Sequence, residues 1–127
     1  MASIVFDASV ILAHLNDEPG AERAAAFLGD AVICAVNYSE VVAKLVERGG
    51  SLPLIRPALS RYGLEIAPFD GDLAERAGAL RAKTKAFGLS LGDRACLALA
   101  ERSRLPVLTA DRMWKELNLH IDVEVLR

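Results

Sequence analysis

The sequence has little of what marks several large classes of protein. It contains only two cysteines in 127 residues. Cys34 and Cys96 lie far apart and form no CxxC pair, so they predict neither a zinc site nor a redox motif. Each lies in an apolar stretch, and we expect two buried thiols rather than a disulfide. No run approaches the roughly 18 apolar residues of a membrane span, and no basic segment precedes the first apolar residues. We therefore expect a soluble, cytoplasmic protein.

An excess of basic charge is also missing. The formal net charge is −2 at pH 7, which excludes a general electrostatic attraction to nucleic acid or to an anionic membrane. Any contact with nucleic acid must then come from a local basic patch or from bound cations. The sequence contains no Gly-rich phosphate loop, no GxSxG elbow and no HExxH motif, so the familiar nucleotide-binding, hydrolase and metalloprotease patterns are absent.

What is present is an ordinary globular composition, 53 % hydrophobic and 25 % charged, with a length that favours one domain over residues 1–127. Short β-branched or bulky runs predict five strands, at 3–6, 31–34, 64–69, 106–109 and 121–126. Segments with apolar positions three and four residues apart predict helices at 9–15, 20–29, 37–49, 52–63, 72–88 and 91–103. This alternation predicts an α/β fold of three layers, a mostly parallel five-stranded sheet with helices on both faces.

The predicted topology brings four acidic residues to one edge of the sheet, at the carboxyl ends of the strands. Asp7 directly follows the first strand, and Asp111 comes two residues after the fourth. Glu40 and Asp93 are expected in the first turns of helices that begin at the same edge. Open α/β sheets bind their ligands there. Clustered carboxylates repel one another unless a cation lies among them, and oxygen ligands without His or Cys suit Mg²⁺ or Mn²⁺. Such ions serve phosphoryl chemistry by activating water and stabilising charge on the phosphate.

Local structure offers a second interpretation of these acids. The stretches "NYSE" (37–40) and "SLGD" (90–93) both match a capping box, and negative charge in a first helical turn favours the helix dipole. Taken singly, Glu40 and Asp93 fit a cap better than a metal ligand, and Asp7 fits a turn residue equally well. The joint placement of the four acids at one edge favours a metal site. The two roles are compatible, because a capping geometry can hold a carboxylate for a metal.

The stretches "IVFDASVILAHL", "NYSEVVAKL", "LSLGDRACLALA" and "PVLTADRMW", in this order and at these separations, resemble the four acidic motifs of PIN-domain ribonucleases. Within that family they are similar to the VapC-type toxins of bacterial toxin–antitoxin pairs. The resemblance covers essentially the whole chain. It implies a PIN-like fold with a five-stranded parallel sheet and a Mg²⁺- or Mn²⁺-dependent endoribonuclease. It also implies a VapB-type antitoxin that blocks the site, in a homodimer or a toxin–antitoxin hetero-oligomer.

The same resemblance implies the roles of particular residues. Carried over position by position, the family's metal-binding acids fall on Asp7, Glu40, Asp93 and Asp111. Its two hydroxyl groups fall on Ser9 and Thr109, which would orient ligands or substrate. Family members often carry a further acid soon after the last one. Arg112, Met113 and Trp114 follow here instead, so the number of metal ions stays open.

Other interpretations remain beside this one. A receiver-type signalling domain also has acids at this edge, but it would have paired acids after the first strand and a Lys after the last. A non-catalytic binding module, with the acids as caps only, would differ from the enzyme in an EDTA-sensitive cleavage assay. Arg81, Lys83 and Lys85 are candidates either for RNA phosphates or for the helix C-terminus. Trp114 is expected to pack rather than to stack on a base.

Overall fold

The computed structural model describes residues 1–127, and all five predicted strands are present within the ranges that the sequence indicated. They are Ile4–Phe6 (β1), Ala31–Cys34 (β2), Glu65–Ala67 (β3), Val107–Thr109 (β4) and Val123–Val125 (β5). Every neighbouring pair is parallel, and the order across the sheet is β3-β2-β1-β4-β5. β1 is therefore the central strand, with Phe6 paired to Ile33 on one side and to Leu108 on the other.

Seven α-helices surround this sheet. They are Ala8–Leu15 (α1), Glu22–Ala25 (α2), Ala35–Glu47 (α3), Leu52–Ser60 (α4), Gly71–Ala79 (α5), Arg81–Thr84 (α6) and Leu91–Ser103 (α7). None of them is long and apolar enough to cross a membrane. Five of the six predicted helices are found as single helices, although α2 is one short turn. A further 3-10 helix, Arg112–Glu116, follows β4 where none was expected.

The helix predicted over 72–88 is wrong as a continuous element. It is divided into α5, α6 and a 3-10 turn, Lys85–Phe87. The hydroxyl of the buried Thr84 donates to the carbonyl oxygen of Leu80 at 2.8 Å, at the junction between α5 and α6. The 3-10 turn ends at Gly88, whose φ of +67° is a left-handed conformation that favours glycine. The chain thereby turns toward the start of α7.

Alternate strand residues face opposite layers of helices, as the period of two in a β-strand requires. On one face the strands pack with α1, α2, α3 and α4 through a core that includes Ile4, Phe6, Ile33 and Leu108. On the other face they pack with α5 and α7 through a second core that includes Val5, Val32, Cys34 and Val107. Both faces of the sheet are therefore buried, which explains why β1 and β2 are apolar at every position.

α7 is the most deeply buried helix, since every side chain from Ala95 to Ala100 is buried. Its small residues allow close approach to the sheet, and Sγ of Cys96 lies 3.8 Å from the carbonyl oxygen of Phe6. Cys34 and Cys96 are free and buried, as predicted. Burial raises the pKa of both thiols, so both stay protonated at neutral pH. The first turn of α7 lies at the carboxyl edge of the sheet and carries Asp93.

Candidate active site

Asp7 lies at the centre of the carboxyl edge. It directly follows β1 and precedes α1, and it is only 6 % exposed. Its carboxylate does not cap the helix. Instead, Oδ2 accepts hydrogen bonds from the hydroxyl groups of Ser9 at 2.6 Å and Thr109 at 3.0 Å. Because Thr109 ends β4, and β4 pairs with β1, the sheet brings these groups together across 102 residues of chain.

Backbone N–H groups hold the two hydroxyls in place. The N–H of Ala110 donates to Oγ of Ser9 at 2.9 Å, and the N–H of Asp111 donates to Oγ1 of Thr109 at 3.1 Å. Each hydroxyl accepts from the backbone and directs its own proton toward the carboxylate. Both bonds reach the same oxygen of Asp7, so Oδ1 has no protein partner and remains available to a ligand.

The surroundings of Asp7 raise its pKa from 3.8 to about 6. The largest cause is burial, which removes water from the charged form. Hydrogen bonds from Ser9 and Thr109 oppose this effect and lower the pKa, while the negative charges of Asp93 and Glu40 raise it further. Asp7 is thus a buried acid close to like charges, and a bound cation would relieve both costs.

Glu40 lies on α3. Two predictions about the start of this helix are wrong. The helix begins at Ala35, so Glu40 lies in its second turn rather than its first, and Asn37 is not a cap. The cause is that α3 starts directly at the end of β2, two residues before the capping pattern. Asn37 is completely buried, and its Nδ2 donates to Oε1 of Glu40 and to the carbonyl oxygen of Gly92, both at 2.9 Å. It joins α3 to the start of α7.

Asp93 has the capping box that its sequence predicted. Oγ of Ser90 accepts from the N–H of Asp93 at 3.1 Å, and Oδ2 of Asp93 accepts from the N–H of Ser90 at 3.0 Å. The cap occupies one carboxylate oxygen and fixes the orientation of the group. The half-buried side chain also lines the same pocket as Asp7 and Glu40. Capping and site geometry therefore coexist in this residue.

The structure brings three of the four predicted acids together, since Asp7, Glu40 and Asp93 line one pocket. Carboxylate and hydroxyl oxygens are the donors that Mg²⁺ and Mn²⁺ prefer, so the chemistry of the pocket fits such an ion. No three acidic, His or Cys side chains converge closely enough to enclose a metal ion in this conformation. Hydrogen bonds from Asn37 and from the N–H of Ser90 fix the orientation of the Glu40 and Asp93 carboxylates in this conformation.

Gly92 provides the space in which the Glu40 carboxylate lies. A Cβ added to Gly92 would lie 2.6 Å from Oε1 of Glu40, closer than real side-chain contacts allow. Gly92 and Asn37 are the two site residues that sequence reasoning missed, because both were absorbed into capping patterns. The available signal was a glycine in the first turn of a helix, because glycine has a low helix propensity.

Asp111 stands apart from the other acids. Its exposed carboxylate accepts from the N–H of Met113 at 3.0 Å through Oδ1, and so caps the 3-10 helix Arg112–Glu116. It does not line the pocket. Its N–H nevertheless bonds to Thr109, which ties its backbone to the Asp7 network. The structure places Asp111 beside the acid pocket rather than within it.

Of the weaker candidates, Trp114 is 1 % exposed and packs in the core, as predicted. Arg81 and Lys83 lie on α6, and Lys85 lies on the following 3-10 turn. All three are exposed and form no ion pair. None of them lines the pocket that contains Asp7.

These features define a class of protein: three-layer α/β domains with a parallel sheet and a pocket of carboxylates at the edge where the central strands end. The model of the PIN domain family matches residues 4–118. The chain belongs to the PIN domain family. None of the curated proteins matches it in sequence.

Solved structures share this fold over nearly the whole chain. A toxin–antitoxin complex from Klebsiella pneumoniae has a TM-score of 0.76 at 22 % identity and covers 98 % of this chain and 98 % of that chain. DNA-bound VapBC from Salmonella typhimurium has a TM-score of 0.74 at 20 % identity and covers 100 % of both chains. VapC20 of Mycobacterium tuberculosis, a toxin that cleaves the sarcin–ricin loop, has a TM-score of 0.71 at 16 % identity, covering 90 % and 94 %. These likenesses establish the fold.

Replacing Asp7 by Asn is expected to stabilise the metal-free protein at neutral pH. The folded-state pKa of about 6 lies above the ordinary 3.8. The folded state therefore binds the proton more tightly, and the free energy of unfolding falls as the pH rises between these values. Asp7→Asn removes that loss, which is at most about 3 kcal/mol above pH 7. Thermal melts in EDTA between about pH 4 and pH 8 measure the difference between the two proteins.

Asp122→Asn is the matched control, because Asp122 is exposed and its side chain forms no ion pair. This variant should keep the wild-type dependence of melting temperature on pH. The Asp7→Asn variant should gain on the wild type as the pH rises and show no gain at the acid end. An Asp7→Asn protein with the wild-type pH profile would show that another group causes the loss of stability.

Proposed function

We propose that this chain is a Mg²⁺- or Mn²⁺-dependent endoribonuclease and the toxin of a VapBC-type toxin–antitoxin pair. The observation that carries the proposal is the pocket that Asp7, Glu40 and Asp93 line at the carboxyl edge of the sheet. Membership of the PIN domain family supports it. Further support comes from the shared fold, since one of the similar structures is that of a toxin that cleaves the sarcin–ricin loop.

In this proposal Asp7, Glu40 and Asp93 bind the cation, and Asp111 is the fourth candidate ligand beside them. When bound, the ion supplies positive charge to the phosphate oxygens and activates water for attack on the phosphodiester. Ser9 and Thr109 orient Asp7, and their hydrogen bonds favour its charged form. Because the pKa of Asp7 is about 6, cation binding competes with a proton there and should strengthen as the pH rises through that value.

The proposed protein partner is a VapB-type antitoxin, as in the toxin–antitoxin assemblies that share the fold. A groove between α1 and α4 is lined by four apolar or aromatic residues and two polar ones: Leu15, Leu28, Ala58 and Tyr62, with His14 and Arg61. Leu54, on α4, is 73 % exposed. Clustered exposed apolar side chains mark protein–protein contacts. An antitoxin that covers this face and extends to the acid pocket would exclude RNA from it.

The purified protein is expected to cleave cellular RNA when Mg²⁺ or Mn²⁺ is present and to stop when EDTA is added. Asp7→Asn and Asp93→Asn should each lower the rate by more than the roughly 10- to 100-fold that loss of an outer hydrogen-bond partner costs. Ser9→Ala should fall within that range. Asp122→Asn is the control and should cleave normally. A time course of new RNA ends measures the rate of each variant. Undiminished cleavage in excess EDTA would rule out the metal mechanism.

Gly92→Ala tests whether Glu40 binds the cation. The added Cβ occupies the space of the Glu40 carboxylate and displaces it. In the wild type, a cation at about a hundred times its dissociation constant adds roughly 2.7 kcal/mol of stability. Gly92→Ala should gain much less in melting temperature on addition of Mn²⁺. The control is Gly78→Ala on α5, where an added Cβ has nothing within 4 Å. A wild-type Mn²⁺ shift in Gly92→Ala would remove Glu40 from the ligand set.

Expression without an antitoxin is expected to arrest bacterial growth, because RNA cleavage would then be unopposed. Asp7→Asn and Asp93→Asn should relieve the arrest, whereas Asp122→Asn should not. Growth curves, with the level of each protein checked by immunoblot, provide the measurement. If the two site variants accumulate to the wild-type level and remain equally toxic, the acid pocket is not the source of the arrest.

A further inference from the structure

A basic cleft lies at the same edge of the sheet, on the side of β5. The cations that line it are Arg23, Arg112, Lys115 and Arg127. The acidic side chains that line it are Glu116 and Glu124, so the charged side chains of the cleft carry a formal charge of +2. The whole chain has a net charge of −2. The cleft is therefore a local concentration of positive charge of the kind that a nucleic-acid contact on this chain would need.

Two of the four cations are held by the protein, and two are free. Arg23 donates to the carboxylate of Glu124 at 3.0 Å, and Arg127 donates to the carboxylate of Glu18 at 3.2 Å. Both arginines also donate to backbone carbonyl oxygens. Arg112 and Lys115 form no ion pair. Glu116, on the same 3-10 helix, also forms none, so the three unpaired side chains together leave a formal charge of +1 for an anionic ligand.

The free cations have a defined position relative to the acid pocket. Arg112 and Lys115 lie on the 3-10 helix that the Asp111 carboxylate caps. Thr109, two residues before Asp111, donates directly to Asp7. Three residues of chain span at most about 11 Å, so the Cα of Arg112 is within that distance of the Cα of Thr109. A polymer with one phosphate at the acid pocket would therefore extend its neighbouring phosphates along this cleft.

We propose that Arg112 and Lys115 bind backbone phosphates of the RNA strand on one side of the cleaved bond. The inference rests on the proposed ribonuclease function. Arg suits such a contact because its guanidinium binds phosphate through two parallel hydrogen bonds, and Lys adds a mobile point charge. An acidic peptide carries the same sign of charge, but it offers no phosphodiester to the neighbouring acid pocket. These contacts hold the strand without reading its sequence.

The test measures binding and its dependence on salt. The probe is a fluorescein-labelled, mixed-sequence, single-stranded RNA of about 12 nucleotides, with EDTA present to prevent cleavage. The cleft variant is Arg112→Gln/Lys115→Gln. Arg56→Gln/Arg61→Gln removes the same charge from exposed positions at α4, where neither residue forms an ion pair. A third variant, Arg81→Gln/Lys83→Gln, tests the exposed cations of α6.

Each phosphate contact in a single strand contributes about 0.7 to the slope of log affinity against log salt. The cleft variant should therefore lose about 1.4 from this slope. Between about 50 and 200 mM salt, the wild type would then lose roughly sevenfold more affinity than this variant. Both other double variants should keep the wild-type slope. In the cleavage assay with Mn²⁺, the cleft variant should raise KM and leave kcat unchanged.

In the binding assay, four results would overturn the inference: no binding of RNA by the wild type, a wild-type salt slope in the cleft variant, a loss of slope in Arg81→Gln/Lys83→Gln instead, or tighter cleft-dependent binding of a labelled poly-glutamate peptide. The poly-glutamate result would assign the cleft to an acidic protein segment. Failure of the proposed function looks different. RNA binding through the cleft without cleavage in Mn²⁺ would reject the ribonuclease but keep the phosphate contacts, whereas cleavage with a normal KM in the cleft variant would reject only the contacts.

Discussion

The burial of the Asp7 carboxylate at the meeting point of β1 and β4 is the constraint on which the rest of the carboxyl edge depends. A buried charge is costly unless hydrogen bonds replace the lost water. Here the replacement comes from Ser9 on α1 and Thr109 on β4, and each hydroxyl is fixed in turn by a backbone N–H. One carboxylate thus sets the relative positions of two strands, a helix and the turn after β4.

On the side of the pocket formed by α3 and α7, the hydrogen-bond donor is a side-chain amide instead of a hydroxyl. Asn37 bridges Glu40 and the first turn of α7, and this aligns the two helices that carry the remaining acids. Its Oδ1 is buried without a hydrogen-bond partner. An unpaired buried acceptor costs about 1–3 kcal/mol. The glycine at position 92 is a further local cost, so this corner of the fold favours the geometry of the pocket over maximal stability.

Much of this arrangement was predictable, and the failures have identifiable causes. The strands could be found because each is short and apolar, and alternation with helices was enough to predict a shared edge for Asp7, Glu40 and Asp93. The hydrogen bond between Asn37 and Glu40 could not be predicted, because "NYSE" matches a local capping box. The start of α3 is determined instead by the end of β2. Asp111 had two hydrogen-bonding options, the pocket or the N–H of Met113, and no sequence pattern distinguishes them. The basic cleft combines residues from three segments of the chain. The net charge of the whole chain, −2, gives no sign of this local concentration of positive charge.

The bond between Thr109 and Asp7 joins residues 102 positions apart, and this has a consequence for the newly made chain. A ribosome releases Asp7 first and Thr109 late, because synthesis proceeds from the N-terminus. Until β4 has been made, β1 is an edge strand with β2 as its only neighbour, and its acid lacks one of its two hydroxyl donors. Sheets with such distant pairings also form slowly. The hydrogen-bond network around the Asp7 carboxylate is therefore completed only after translation has passed β4.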